Sequence, residues 1–215
     1  MPTFFPDPVF GWVFYLSLLG LLAVASYSDQ RFQLIPKKLT LTLLGLGVLF
    51  NLVRGAWLGG EGVSAWSLAG GSVWLGLLDG LLFALAGFAL GLALFFVMWV
   101  LGACGGGDVK LFAAVAAWLG PQLSVMVLMA TIVIVTVIVV ARVLWTTVTR
   151  GRLSTAQLAG KTKYGKPRLR LVWYSLPVAL AVALVVAWVC RVDLHLSAPR
   201  PAAGERVELH VPVKD

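Results

Sequence analysis

The sequence predicts an all-α, polytopic integral membrane protein with about six transmembrane helices. Two observations carry this. The 215 residues are 60% hydrophobic and only 12% charged, with mean hydropathy +0.95, whereas soluble domains average about 45–50% apolar and about 25% charged. The apolar residues also form continuous runs without the alternation of barrel strands, and helices satisfy their own backbone in lipid. The formal charge of +8 reads as basic residues gathered in cytoplasmic loops, so the expected partner is the lipid bilayer and no nucleic acid.

The apolar segments fall near 9–27, 39–53, 80–100, 111–119, 122–141 and 172–190. A span needs about 20 residues. No Lys or Arg precedes Arg31 and Asp7 is present, so the first segment lacks the basic start of a signal peptide and reads as a retained helix. The second is short, but Lys38 and Arg54 flank it and can snorkel to the two interfaces. The third and the sixth are full length. Residues 111–141 as one helix would run about 46 Å, beyond a hydrocarbon core of about 30 Å. Gly120-Pro121 is the natural break, giving the fourth and fifth segments.

Charge decides whether the short fourth segment crosses. Arg31, Lys37 and Lys38 mark the first connection as cytoplasmic, and Arg142, Arg150, Arg152, Lys161, Lys163, Lys166, Arg168 and Arg170 mark the one before the last helix. Both connections lie inside only if an even number of helices separates them, so 111–119 crosses and both termini lie outside. Residues 1–191 then form the membrane domain. Residues 192–215 are Pro-rich and charge-balanced, an extracytoplasmic tail with the composition of a disordered segment.

Two acids stand out. Asp29 ends the first segment ahead of Ile35-Pro36, and Asp108 closes the glycine run Gly105-Gly106-Gly107. A carboxylate at membrane depth is costly and faces a cavity or a partner. The predicted topology sets both on the cytoplasmic side, and glycines allow unusual backbone conformations and close approach of another chain. Paired carboxylates hydrolyse peptides by exchanging general-base and general-acid roles. An ion- or proton-coupled transporter using the acids as a relay, and a non-catalytic scaffold, are the alternatives. Broken helices with an internal repeat would favour a transporter; one break and no repeat is visible.

The segment Asp29-Gln30-Arg31-Phe32-Gln33-Leu34-Ile35-Pro36-Lys37-Lys38-Leu39, together with Gly105-Gly106-Gly107-Asp108-Val109-Lys110-Leu111 and the following Trp118-Leu119-Gly120, resembles the two signature elements of type IV prepilin peptidases. The second element alone also occurs in presenilin-type proteases; the pair is specific. The resemblance covers roughly residues 10–190 and implies that Asp29 and Asp108 are the catalytic aspartates of a membrane-embedded peptidase needing no metal or cofactor. It implies a prepilin or pseudopilin substrate, with a basic leader and a hydrophobic N-terminal helix, cut at the cytoplasmic face of a prokaryotic plasma membrane. Gly105, Gly106, Gly107, Lys110 and Pro36 are the expected substrate-side residues: the glycines as open backbone, Lys110 beside Asp108, Pro36 fixing the chain as it enters the second helix. The sequence has no paired CxxC motifs, so it resembles the short forms associated with Flp/Tad-type pili. N-methylation from S-adenosylmethionine, known of long forms, is left open. Leu176-Pro177-Val178-Ala179-Leu180 matches the family's last-helix element only loosely.

Other residues read as structural. Asp79 is expected at the outer end of a helix, unable to meet the other two acids, and Trp57, Trp66 and Trp74 form an outer aromatic belt. Cys104 and Cys190 make neither a disulfide framework nor a zinc site, and His195 has no metal-ligand partner nearby. The basic connection serves topology and attraction to anionic lipid.

Overall fold

A computed structural model describes residues 4–32, 36–64, 66–68, 71–102, 104–150, 175–191 and 194. It contains α1 (Pro8–Phe32), α2 (Lys37–Gly60), α3 (Val73–Val100), α4 (Gly106–Arg150) and α5 (Ser175–Val189), and no strand among the described residues. Four helices are long and apolar enough to cross a membrane: α1, α2, α3 and the stretch Gly106–Trp145 of α4; α5 is a shorter apolar helix of 15 residues. The protein is an all-α polytopic membrane protein. Most of the basic connection (151–174), residues 33–35 and the tail beyond 194 lie outside the described residues.

Ring and backbone contacts fix the helix directions. Phe10 meets Phe50 and Trp57, and Phe14 meets Phe50, so α1 and α2 are antiparallel. Glycine contacts pair Gly55 with Gly76 and Gly80 with Asn51 across α2 and α3. Phe95 stacks on Phe112 at 4.2 Å, and Gly87 lies against Ala116, which sets α3 antiparallel to the start of α4. The Tyr15 hydroxyl donates to Ala183 O and Ser175 to Asp29, so α5 is antiparallel to α1. One end of the bundle therefore gathers the C-termini of α1 and α3 with the N-termini of α2, α4 and α5.

α4 is broken where the sequence places the break. Gly120 has φ 70° and ψ −179°, and Pro121 follows; that region of backbone space is essentially glycine-only. The Ser124 hydroxyl donates to Gly120 O at 2.5 Å, and its oxygen lies 3.4 Å from Ala116 O. Residues eight apart in a straight helix are separated by about 12 Å along the axis, so the chain bends sharply here. Residues 111–120 are all buried, which makes the first arm, 106–119, the central element of the fold. Trp118 is fully buried; its ring meets Phe14 and Phe50 at 5.0 and 5.1 Å, and its Nε1 donates to Leu43 O at 2.7 Å.

Close helix approach comes from small residues. A Cβ on Gly55, Gly76 or Gly80 would overlap backbone of the facing helix, and one on Gly87 would overlap Ala116 O. Such small-residue seams let membrane helices pack where no hydrophobic force drives them together.

The central arm stops inside the bundle. Gly120 is level with Phe83, and α3 continues ten residues beyond that to Val73, about 15 Å. The last carbonyls of a helix need partners, and lipid supplies none. Asn51 Nδ2 donates to Ala117 O at 2.9 Å and Trp118 O at 3.1 Å. Beside it, the Arg54 guanidinium donates to Phe4 O at 2.7 Å and lies over the rings of Phe4 and Phe83 at 4.1 and 4.8 Å. A cation near a helix C-terminus also complements its dipole.

The sequence-based boundaries need three corrections. α2 is 24 residues long rather than a short segment ending at residue 53, and Arg54 is 2% exposed rather than a snorkelling flank, because its partners lie within the protein. α3 begins at Val73, capped by the Ser72 hydroxyl accepting from Trp74 N at 3.3 Å, so Asp79 lies inside the helix. α1 runs on to Phe32, which places Asp29 in its last turn. Asp79 is held at the opposite end from Asp29, as expected, accepting from the backbone N–H groups of Trp66, Ser67 and Leu68 at 2.6–3.1 Å. It folds the connection after α2 onto α3.

Candidate active site

The sequence of α1 directs Asp29 inward. Phe14, Leu18, Leu22, Ala25 and Asp29 recur at helical spacing along one buried face, so the carboxylate takes the last inward position of an apolar stripe. Asp29 is 4% exposed, and its Oδ2 accepts from the Ser175 hydroxyl, the first residue of α5, at 2.7 Å. Ser26, one turn earlier on the same face, is buried and its hydroxyl has no hydrogen-bond partner among the described residues. Arg31 turns to the exposed side, donating to the Tyr27 hydroxyl at 2.6 Å.

Asp108 is the third residue of α4 and is 8% exposed. Its Oδ2 accepts from Gly105 N at 2.9 Å, the side-chain-to-cap half of a capping box. A carboxylate here also meets the positive end of the helix dipole. Both acids are thus buried at the same end of the bundle. Pro36, which caps the N-terminus of α2 with φ −59° and ψ 134°, belongs to that end too. Lys110 is exposed.

The glycine run does not use the left-handed backbone that the sequence allowed. Gly106 and Gly107 are in the first helical turn, and the positive-φ glycines of the neighbourhood are Gly102 (76°), which closes α3, and Gly120. What the run supplies is space: Gly106 is exposed, and a Cβ there would meet only Trp99 Nε1, at 3.7 Å.

Cys104 lies between α3 and α4, its Sγ contacting Phe95 O at 3.6 Å. Burial, and secondarily the charge of nearby Asp108, push its thiol up to about 11, so it is protonated near neutrality and a poor nucleophile. No group of three His, Cys, Asp or Glu residues gathers for a metal among the described residues.

Sequence reading missed Ser175, Ser26, Asn51 and Arg54 as parts of this architecture. The available signal was polarity at helical spacing: Ser26 is three residues from Asp29, and Asn51 and Arg54 are three apart on one face of α2. Ser175 had only its position at the start of an apolar run.

Comparison with known proteins bears on the same segments. Residues 16–140 match the sequence profile of the type IV leader peptidase family, a stretch including Asp29, the glycine run and Asp108. The chain is 36% identical over 121 residues to a prepilin leader peptidase/N-methyltransferase of Klebsiella pneumoniae, covering 54% of this chain and 42% of that one. It is 36% identical over 100 residues to the prepilin peptidase EppA of Methanothermobacter thermautotrophicus, covering 46% and 22%. A prepilin leader peptidase/N-methyltransferase of Aeromonas hydrophila is 34% identical over 130 residues, 59% and 39%. The chain thus spans less than half the length of these curated relatives. No solved structure matches it. With the profile covering more than half of the 215 residues and both buried aspartates inside it, the chain belongs to the type IV leader peptidase family.

Proposed function

We propose that the protein is a membrane-embedded aspartic endopeptidase that removes the leader from type IV prepilin-like or pseudopilin substrates at the cytoplasmic face of a prokaryotic plasma membrane. The observation that carries this is the burial of Asp29 and Asp108 at one end of the bundle, 4% and 8% exposed, inside the family-matched stretch. One carboxylate takes a proton from water as it attacks the scissile carbonyl. The other, protonated, donates to the substrate so that the C–N bond breaks and the new amino terminus stays on the hydrophobic helix. Gly105, Gly106 and Gly107 offer backbone against which an extended leader junction lies, with Lys110 and Pro36 at the same end. The reading takes the peptidase activity named in all three relatives. Methyl transfer, named in two of them, is not part of it, and no cofactor is called for. The transporter alternative gains no support from the architecture or the relatives.

The test is processing of a reconstituted prepilin by Asp29→Asn, Asp108→Asn and the double variant. Each single change should abolish leader removal at normal abundance, and the double should be no worse, because groups acting as a unit are strongly non-additive. Asp79→Asn, at the opposite end, should keep its activity per folded molecule. Full processing by either single variant would end the proposal.

A further inference from the structure

Asp29 is held by a residue beyond the stretch that matches the family profile. Ser175 opens α5 and lies outside the matched stretch, 16–140. It is fully buried, and its hydroxyl donates to Asp29 Oδ2 at 2.7 Å across 146 residues of sequence. A serine hydroxyl has one proton to give, and here it goes to one oxygen of one carboxylate. The contact joins the C-terminal turn of α1 to the N-terminal turn of α5. α5 in turn packs on both α1 and α4, the helix that carries Asp108. Ser175 is thus the first side chain of the helix that touches both aspartate-bearing elements.

The surroundings of Asp29 point the same way. Ser26 shares its helix face, is buried, and has no hydrogen-bond partner among the described residues. The inward wall of α1 at this end therefore carries a carboxylate with one oxygen held by Ser175 and a neighbouring hydroxyl with hydrogen-bonding capacity to spare, the composition of a wall that meets a polar guest. Arg31, two residues on, is turned to the exposed side and engaged with Tyr27.

We propose that Ser175 is a positioning residue for catalysis. It fixes the rotation of the Asp29 carboxylate, so that the oxygen it does not hold faces the reacting water and the substrate carbonyl. The last helix is then part of the catalytic apparatus, and undocking α5 disarms the site without moving either aspartate's own helix. The proposal rests on the aspartic-peptidase reading of Asp29 and Asp108.

Rotational freedom of a reacting group costs rate more than substrate affinity. Full-length protein in proteoliposomes, given a model prepilin with a basic leader, a glycine at the junction and a hydrophobic helix, separates the outcomes. Ser175→Ala should lower kcat roughly 10- to 100-fold with KM within about twofold, and Ser175→Thr, which keeps the hydroxyl, should recover most of the loss. Asp29→Asn, run in parallel, should be inactive. Wild-type kcat in Ser175→Ala beside an inactive Asp29→Asn would overturn this proposal and leave the dyad standing. Equal loss in Ser175→Ala and Ser175→Thr would overturn it in favour of packing at a crowded position. An active Asp29→Asn would overturn the peptidase reading itself, and this proposal with it.

Discussion

Gly120→Ala tests the element that makes the site's architecture possible. Two costs are readable at this position. With φ 70° and ψ −179°, a residue bearing a Cβ is held in a region essentially restricted to glycine, at about 1–3 kcal/mol. The added methyl would also overlap the distal edge of the Phe83 ring. That ring has little freedom to withdraw: it is 5% exposed, 6.1 Å from Phe4 and 6.2 Å from Trp66, with the Arg54 guanidinium 4.8 Å from its centroid. Overpacking of this kind costs about 1–3 kcal/mol. The sum, about 2–6 kcal/mol, is a large part of a typical stability of about 5–15 kcal/mol. SDS titration of the protein in mild detergent, followed by far-ultraviolet circular dichroism, measures it. Phe83→Leu in the Gly120→Ala background separates the two parts: the steric share should be recovered as a coupling of about 1–3 kcal/mol, while the backbone share remains. A Gly120→Ala midpoint equivalent to less than about 0.5 kcal/mol, the range of an unremarkable surface change, would refute the reasoning.

Asn51→Leu should destabilise by about 1–3 kcal/mol for each carbonyl, of Ala117 and Trp118, that loses its side-chain donor; the same titration checks it, and an unchanged midpoint would mean that other groups satisfy the arm's end. In a Cys190→Ser background, Cys104 should react slowly with a maleimide or iodoacetamide even at about pH 9, since a thiol held up to about 11 is mostly protonated there. Asp108→Asn removes a charge that raises that thiol, so its titration midpoint should fall and the reaction should accelerate; an unchanged or slower rate would place the charge of Asp108 out of reach of Cys104. Reporter fusions at Ser154 and Lys214 should give opposite sidedness, the first cytoplasmic, and the same compartment at both positions would defeat the six-helix topology read from the charges.

The parts legible in the sequence were those whose cause is local. The inward stripe Phe14, Leu18, Leu22, Ala25 and Asp29 is a helical period visible without tertiary knowledge, and Gly120-Pro121 breaks a helix wherever it stands. What escaped were residues whose partners are distant. Arg54 read as the flank of a short span because polar groups at a helix edge usually meet water, and Asn51 was not singled out. Here Asn51 meets Trp118, 67 residues away, and Arg54 meets Phe4, 50 residues away. Asp79 read as lying before its helix because its satisfying donors, in the connection at 66–68, could not be foreseen. The glycine seam between α2 and α3 was passed over, since each glycine looks unremarkable until the facing backbone is known.

These misses have one physical origin. The arm that enters at Gly106 and stops at Gly120 within the bundle is buried over residues 111–120, and the last carbonyls of a helix need partners where lipid supplies none. Such an arm cannot exist on apolar packing alone. It needs a donor at its end, which Asn51 supplies, and a sharp bend at Gly120-Pro121 that brings the Ser124 hydroxyl to the carbonyl of Gly120. A cation beyond the end then complements the helix dipole, as Arg54 does. The polar residues of α2 are therefore the condition for a short arm, buried over 111–120, at the centre of a membrane bundle. That helix brings Asp108 inward on the same end as Asp29. The far-end polar cluster and the aspartate end are joined by one rigid arm of 14 residues, 106–119. Loosening Asn51 or Gly120 should consequently reduce leader cleavage as well as stability, although both lie a helix length from the carboxylates.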